Sequence, residues 1–376
     1  MIGASHSTVH RVLVAPYAFK GTMTAREAAQ AIAEGVTAAM PGVETWLLPL
    51  GDGGSGTLDT LMSVHGGTYR SARCHDARGD LRECRWGMTV DGMAVVEAAQ
   101  VLALADVPEN RRDPSVLRTT GLGELVRIAF DASPRKLTIG LGDTATHDCG
   151  LGAGSVLGYR FLDRHGDELP PVGHSLPDLA AIDASHAFPL PAIPGRLVFC
   201  DVVNPLLGPD GAAFRFAGQK GADDAMIARL EEGGWRFAEV VRRDLGVDVA
   251  DVPGAGAAGG LGAGLRAFLG ADLVPGADGV LDAASFDALA ASCDLVVTGE
   301  GMLDAKTLLG KGVRRAVTRA RRAHARVLVV VGRVEGERRY WEERLDASVV
   351  ELGAGDSGAS HTEHLATAVR RWLGVG

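Results

Sequence analysis

Residues 137–152 read LTIGLGDTATHDCGLG, a short β-branched strand running into a glycine-studded loop with two carboxylates, Asp143 and Asp148, and hydroxyl and imidazole side chains between them. Gly140, Gly142, Gly150 and Gly152 permit close backbone approach and positive φ, and a strand ending at such a loop presents it at the carboxyl edge of a parallel sheet, where small ligands bind. Two acids carry the wrong sign for cradling a phosphate directly, but they suit a magnesium ion or a substrate hydroxyl. A second stretch of this kind, Gly51-Asp52-Gly53-Gly54-Ser55-Gly56-Thr57, precedes a helix carrying Leu58, Leu61 and Met62. A third, Gly299-Glu300-Gly301-Met302-Leu303-Asp304, reads as a loop with two carboxylates, followed by Lys306 and Lys311. Acids together with lysines suit phosphoryl transfer, in which lysines and amide groups neutralise phosphate oxygens, magnesium bridges them and a carboxylate takes the acceptor's proton. No P-loop is present, because Ala305 precedes Lys306-Thr307 and Gly312 follows Gly310-Lys311.

Two glycine patterns mimic a dinucleotide fingerprint. Gly140-x-Gly142-x-x-Ala145 follows a strand and has Asp163 about twenty residues on, where an acid would bind ribose, but Asp143 would then sit beside the pyrophosphate. Gly254-x-Gly256-x-x-Gly259 follows a poor strand and Pro253, and reads as an anion-binding turn before a helix over 261–269, with tight packing through small residues as the alternative.

These loops need a frame. Residues 11–16 form a short apolar run, Thr24-Ala25-Arg26-Glu27 is a capping box opening a helix that ends before Pro41-Gly42, and residues 45–50 form a second strand, which together make a β-α-β unit. From 67 to 98 alternating runs around Arg78-Gly79-Asp80 and Asp91-Gly92 predict antiparallel hairpins. Helix 121–131 and strand 136–139 then lead into the opening loop, a strand covers 195–201, and an amphipathic helix over 223–245 is interrupted at Gly233-Gly234. Strands at 294–298, 326–331 and 348–352 alternate with helices at 314–324 and 361–373. The pattern predicts an α/β protein of two domains, a discontinuous Rossmann-like doubly wound domain (1–65, 112–150 and 286–376) and a smaller mixed-sheet α/β domain (66–111 and 151–285).

Composition narrows the function. At 376 residues with 46% hydrophobic and 23% charged residues the chain is ordinary for a globular enzyme, while 51 glycines against 5% aromatics mark loops that meet ligands or pack tightly. A net charge of −9, with basic residues concentrated only at Arg314-Arg315, Arg319 and Arg321-Arg322, argues against nucleic acid. Five scattered cysteines imply neither a disulfide framework nor a zinc site. With no signal-like segment and no apolar span, a cytoplasmic location without membrane contact is expected.

Six ordered motifs resemble the bacterial glycerate kinase family. They are Ala15-Pro16 with Phe19-Lys20-Gly21; Asp52-Gly53-Gly54-x-Gly56-Thr57; Gly142-x-x-Ala145-Thr146-x-Asp148; Asp201-x-x-Asn204-Pro205-Leu206-Leu207-Gly208 with Gln219-Lys220-Gly221; 253–260; and Gly299-Glu300-Gly301 with Asp304 and Gly310-Lys311. The resemblance covers nearly the whole chain and implies ATP- and magnesium-dependent phosphorylation of D-glycerate or a related small hydroxy acid, at carbon 2 or carbon 3. On this reading Lys20, Lys220 and Lys311 contact phosphate or carboxylate, Glu300 and Asp304 hold magnesium, and Asp148 is the proton acceptor with Asp201 as its rival. Asp52 and Asn204 orient substrate, and Gly53, Gly54, Thr146, Gly256 and Gly259 line the substrate or ATP site. The partners are then ATP and the acceptor, with a second copy of the chain left open. The chain departs from the family's usual residues at Tyr17, Thr120, Asp143, His147 and Met302, and two arginines able to grip a carboxylate bidentately are missing. A substrate-shifted or catalytically weak homologue is therefore one alternative, and an NAD-dependent oxidoreductase using the Gly140 loop is another.

Overall fold

The structure, a computed structural model, describes residues 9–19, 21–304, 307, 312–352 and 360–374. Among them the strands are β1 (Arg11–Val14), β2 (Glu44–Leu47), β3 (Gly67–His75), β4 (Leu81–Thr89), β5 (Met93–Glu97), β6 (Lys136–Leu141), β7 (Arg160–Leu162), β8 (Ala181–Asp183), β9 (Arg196–Cys200), β10 (Asp272–Pro275), β11 (Leu295–Leu303), β12 (Arg326–Val334) and β13 (Ser348–Glu351). Contacts divide the chain into two compact units, Met1–Asp52 with Ala277–Gly376, and Gly53–Gly276.

The first unit holds a five-stranded sheet in the order β13-β12-β11-β1-β2, every pair parallel. Short apolar runs such as Val12-Leu13-Val14 are what a sheet covered on both faces demands. Val12, Val14, Leu295, Val297, Leu328 and Val330 pack with Ile32, Val36, Leu365 and Val369 of the helices Ala25–Ala39 and His361–Trp372. The helix Gly312–Arg322 packs on β11 and β12 as well, so the sheet is doubly wound. Helix Ala25–Ala39 starts where the sequence predicts it, with Glu27 N donating to Thr24 Oγ1 (3.2 Å) and Thr24 N donating to Glu27 Oε2 (2.8 Å). The third loop is different from its expectation. Residues 299–303 continue β11 beside β12, from Gly299↔Val330 to Leu303↔Val334, so Glu300 and Met302 are strand residues. A β-carbon on Gly299 would lie 1.9 Å from the Val330 carbonyl oxygen, which is why a glycine there lets the strands stay paired rather than turning the chain.

The second unit holds a six-stranded sheet in the order β10-β9-β6-β5-β4-β3, antiparallel from β3 to β5 and parallel from β5 to β10, with β7-β8 forming a separate antiparallel pair. The predicted hairpin at 78–80 closes β3 and β4, and Asp76 Oδ1 accepts from Arg78 N (2.8 Å) and Asp80 N (3.0 Å). Segment 112–150, placed with the chain termini by sequence, belongs to this unit because β6 hydrogen-bonds to β5 and β9; residues 53–65 belong to it too, and 286–376 are joined in the first unit by 277–285. Helix Asp224–Leu245 runs through Gly233 and Gly234 without a break. A β-carbon on Gly233 would sit 2.6 Å from Leu176 Cβ and one on Gly234 3.1 Å from Leu207 Cδ2, so Gly233 permits close packing on the 3₁₀ segment Gly173–Asp178 and neither glycine interrupts the helix.

Candidate active site

In the second unit the parallel strands β5, β6 and β9 end side by side, and the segments leaving their carboxyl ends carry Glu97, residues 142–148, and residues 201–204. The glycine loop 53–56 lies on these ends. A β-carbon on Gly53 would stand 2.6 Å from the Phe199 carbonyl oxygen, and one on Gly142 would stand 2.5 Å from Gly54 Cα and 3.4 Å from Asp201 Oδ2. Gly53, Gly54, Gly142 and the Asp201 carboxylate are thus gathered at one sheet edge, and Gly53 and Gly142 serve contact between backbones.

Asp148 is completely buried. Its Oδ2 accepts from Thr119 N (2.9 Å), Thr119 Oγ1 (2.9 Å) and Gly152 N (3.1 Å), and its Oδ1 accepts from Gly150 N (3.0 Å). Burial pushes this carboxyl up while the bonds from Thr119, Gly152 and Gly150 pull it down. Thr119 Oγ1 in turn accepts from Ala153 N (2.9 Å). Both oxygens of Asp148 therefore tie the start of helix Thr120–Asp131 to that of helix Leu151–Val156, so the residue expected to accept the proton is engaged in holding these two helix starts.

Lys220, also buried, donates from Nζ to the Thr146 carbonyl oxygen (2.8 Å). Burial brings its ammonium down to about 8, against the opposing pull of Asp201 and Asp148. His147 is held neutral, pushed down to about 3 by burial and by the Lys220 charge. Thr146 Oγ1 and His147 Nδ1 have no hydrogen-bond partner among the described residues. Asp143 stands in the left-handed region (φ 56°), exposed, and its Oδ2 accepts from Ser55 N (3.2 Å). Asn204 gives its Nδ2 hydrogen to the Asp210 carbonyl (2.7 Å) and its carbonyl accepts from Gly256 N (3.0 Å).

Gly256 and Gly259 hold these loops together. A β-carbon on Gly256 would lie 2.1 Å from the Pro205 oxygen, and one on Gly259 (φ 69°) would lie 2.2 Å from the Thr146 oxygen. Three successive left-handed residues, Ala258, Gly259 and Gly260, precede the regular helix, and Gly259 O accepts from Cys149 N (3.2 Å). The packing alternative describes this turn better than an anion cradle. Nor is Gly140-x-Gly142 followed at once by a helix, and Asp163 is engaged in its own surface turn, accepting from His165 N (2.8 Å) and Asp167 N (2.9 Å).

The first unit carries a separate polar cluster. Glu300 Oε1 accepts from Thr307 Oγ1 (3.0 Å) and Asp304 Oδ1 accepts from Thr307 N (3.2 Å), so one threonine links the two carboxylates. Hard oxygen donors of this kind fit magnesium, which usually takes one or two carboxylates and completes its shell with phosphate oxygens and water. Among the described residues no group of three or more His, Cys, Asp and Glu side chains is arranged to hold a metal by itself. Tyr17 is buried against Gly312, and its hydroxyl has no partner among the described residues. Burial holds the phenol well above its usual range, and the charges of Asp52, Glu300 and Asp278 reinforce this. Asp52 is half-buried at the end of this unit's first segment. Lys20 and Lys311 lie outside the described residues. Met302 is exposed on β11, and Thr120 opens helix Thr120–Asp131.

Sequence reasoning missed Glu97 and Thr119 as constituents of these clusters, and it marked Tyr17 only as a departure from the family's usual residues. Glu97 had one signal: an acid closing the otherwise apolar strand Met93–Glu97, all five residues of which are buried.

Comparison with known proteins agrees with this architecture. The model of the glycerate kinase family matches residues 12–369. A glycerate kinase of Halalkalibacterium halodurans is 37% identical over 342 residues, 90% of each chain. A glycerate 2-kinase of Escherichia coli K12 is 38% identical over 323 residues, 86% of this chain and 85% of the other. A crystal structure described as that of a candidate glycerate kinase 2 from Salmonella typhimurium LT2 superposes with a TM-score of 0.84 at 35% identity, covering 97% of this chain and 98% of that one. Matched from the first strand to the last helix and similar to these proteins in sequence and in fold, the chain belongs to the glycerate kinase family.

Proposed function

We propose that the chain transfers the γ-phosphoryl group of ATP to the 2-hydroxyl of D-glycerate, giving 2-phosphoglycerate and ADP. The observation that carries the chemistry is the charge of the half-buried Asp201 carboxylate, just past the end of β9, acting on the buried Lys220 ammonium, which holds the loop after β6 through the Thr146 carbonyl. Asp201 takes the hydroxyl proton as the oxygen attacks phosphorus, a role Asp148 cannot fill while both its oxygens hold loop donors. Lys220, bonded to the Thr146 carbonyl, keeps positive charge beneath the loop, and Asn204 orients the acceptor. Gly256 and Gly259 keep the loops in register. The Escherichia coli relative supports the 2-hydroxyl as the acceptor.

Magnesium, when bound with ATP, would be held by Glu300 and Asp304 and would neutralise charge on the phosphate oxygens. Asp52, Lys20 and Lys311 remain the proposed phosphate or substrate contacts. A cytoplasmic setting suits an ATP-consuming enzyme whose five cysteines are all free. Phosphorus NMR of the reaction mixture tests the reading: 2-phosphoglycerate is expected with ATP, magnesium and D-glycerate, and none after chelation with EDTA. The 3-phosphate as product would overturn the choice of hydroxyl, and absence of any phosphoglycerate would overturn the activity.

A further inference from the structure

Several amide donors at the start of helix Thr57–His65 are already occupied. Glu97 Oε2 accepts from Gly56 N (3.0 Å) and Leu58 N (3.0 Å), and Asp143 Oδ2 accepts from Ser55 N (3.2 Å). Gly53 N donates to Thr57 Oγ1 (3.1 Å), and Thr57 N donates to the Gly54 carbonyl (3.2 Å). A glycine loop before a helix is ordinarily read as an anion site, because its free amides face the ligand. Here two carboxylates of the protein fill that place. The loop's contribution lies in where it puts its backbone: Gly54 lies against Gly142, beside Asp201 Oδ2.

Glu97 itself is 4% exposed, at the last position of β5 opposite Gly140 of β6. A β-carbon on Gly140 would meet the Gly53 carbonyl oxygen at 2.8 Å, so the turn that Glu97 grips also rests on the strand next to it. We propose that Glu97 is a positioning residue for phosphoryl transfer, acting through the turn at residues 53–58 to keep Gly54 and Asp201 in place beside Gly142. This rests on the reading of Asp201 as proton acceptor.

Ionisation makes the role testable. Burial pushes the Glu97 carboxyl up to about 6, against the pull of Leu58 N, the Gln100 side chain and Gly56 N. Asp59 on the helix adds to the rise, and Asp59 is itself paired with Arg85 of β4 (2.9 Å). The facing residue of β6, Gly140, carries no charge. Above pH 6 the carboxylate grips both amides as a charged acceptor; below it, the protonated acid grips them less well. Because the folded value lies above the usual 4.5, the folded state gains stability from this group as pH falls from 6 to 4.5. Relative to Glu97→Gln, the wild type should therefore gain stability as pH falls across that window while losing activity; the loss caused by the neutral, buried His147 is common to both proteins and cancels in the comparison.

The test compares Glu97→Gln and Glu97→Ala across pH 5–9, with kcat, KM for ATP and KM for glycerate measured beside thermal unfolding. Glu97→Gln keeps an oxygen for both amides and is expected to hold kcat within ~3-fold at pH 8 while losing the acid limb near pH 6. Glu97→Ala is expected to lose ~30-fold in kcat with KM for ATP moved less than ~3-fold. An acid limb unchanged in Glu97→Gln, or wild-type kcat in a folded Glu97→Ala, would overturn the proposal. Should Glu97→Ala not fold, the Glu97→Gln profile still decides. Asp201→Asn run in parallel separates the two claims: full activity there removes the base assignment, while the Glu97→Gln profile reports on the turn alone.

Discussion

Asp201→Asn is expected to lower kcat by ~10³-fold, with KM for ATP within a few-fold of wild type. Asparagine keeps the size of the side chain and its place beside Gly142 and Gly54, so the loops should hold their positions. What it loses is the ability to take a proton, and general-base catalysis is commonly worth about 10²–10⁴ in rate. It also removes the negative charge that steadies the Lys220 ammonium, so the lysine should deprotonate below its present value of about 8. The variant's remaining activity should then fall away at lower pH on the alkaline side than wild-type activity does. A pH profile of kcat for both proteins checks this, and a variant retaining more than about a tenth of wild-type kcat would show that another group takes the proton.

Asp148→Ala is expected to remove about 5 kcal/mol of stability or more, enough to leave little folded protein at 37 °C. Four donors would lose their acceptor at once: Thr119 N, Thr119 Oγ1, Gly150 N and Gly152 N. Each buried polar group left without a partner costs about 1–3 kcal/mol, and water has no path to a residue with no exposed surface. Asp148→Asn should be milder, since one oxygen remains, but its amide group would face donors and the loss should still be a few kcal/mol. Urea unfolding of both variants measures the effect. A stable Asp148→Asn with kcat abolished would instead restore Asp148 as the proton acceptor.

Much of the fold was legible in the residues themselves. Thr24 and Glu27 announced a helix start, and Arg78-Gly79-Asp80 announced a hairpin, because capping and turn chemistry are local and act within four residues. Short apolar runs announced buried parallel strands for the same reason. Less legible was anything decided by a distant neighbour. Gly299 and Gly301 look like loop residues, yet they lie in β11, where the β12 backbone passes too close for a side chain on Gly299. Gly233 and Gly234 look like a helix break and are a packing groove. Asp148 and Lys220 were visible as functional candidates, but their partners Thr119 and Thr146 stand 29 and 74 residues away, and it is those partners that separate a loop-holding acid from a proton acceptor. Glu97 escaped notice because its task, capping a helix 39 residues earlier, shows locally only as an acid at the end of an apolar strand.

Of the positions that depart from the family's usual residues, Tyr17 and His147 are buried, whereas Asp143 and Met302 are exposed. ATP-dependent phosphorylation of glycerate can be read directly in a coupled ADP-release assay across D-glycerate, L-glycerate, tartronate, hydroxypyruvate and the tetronates. Acceptor-dependent ADP release is expected, with the highest kcat/KM for D-glycerate. ADP release no greater with any acceptor than with ATP alone would contradict it.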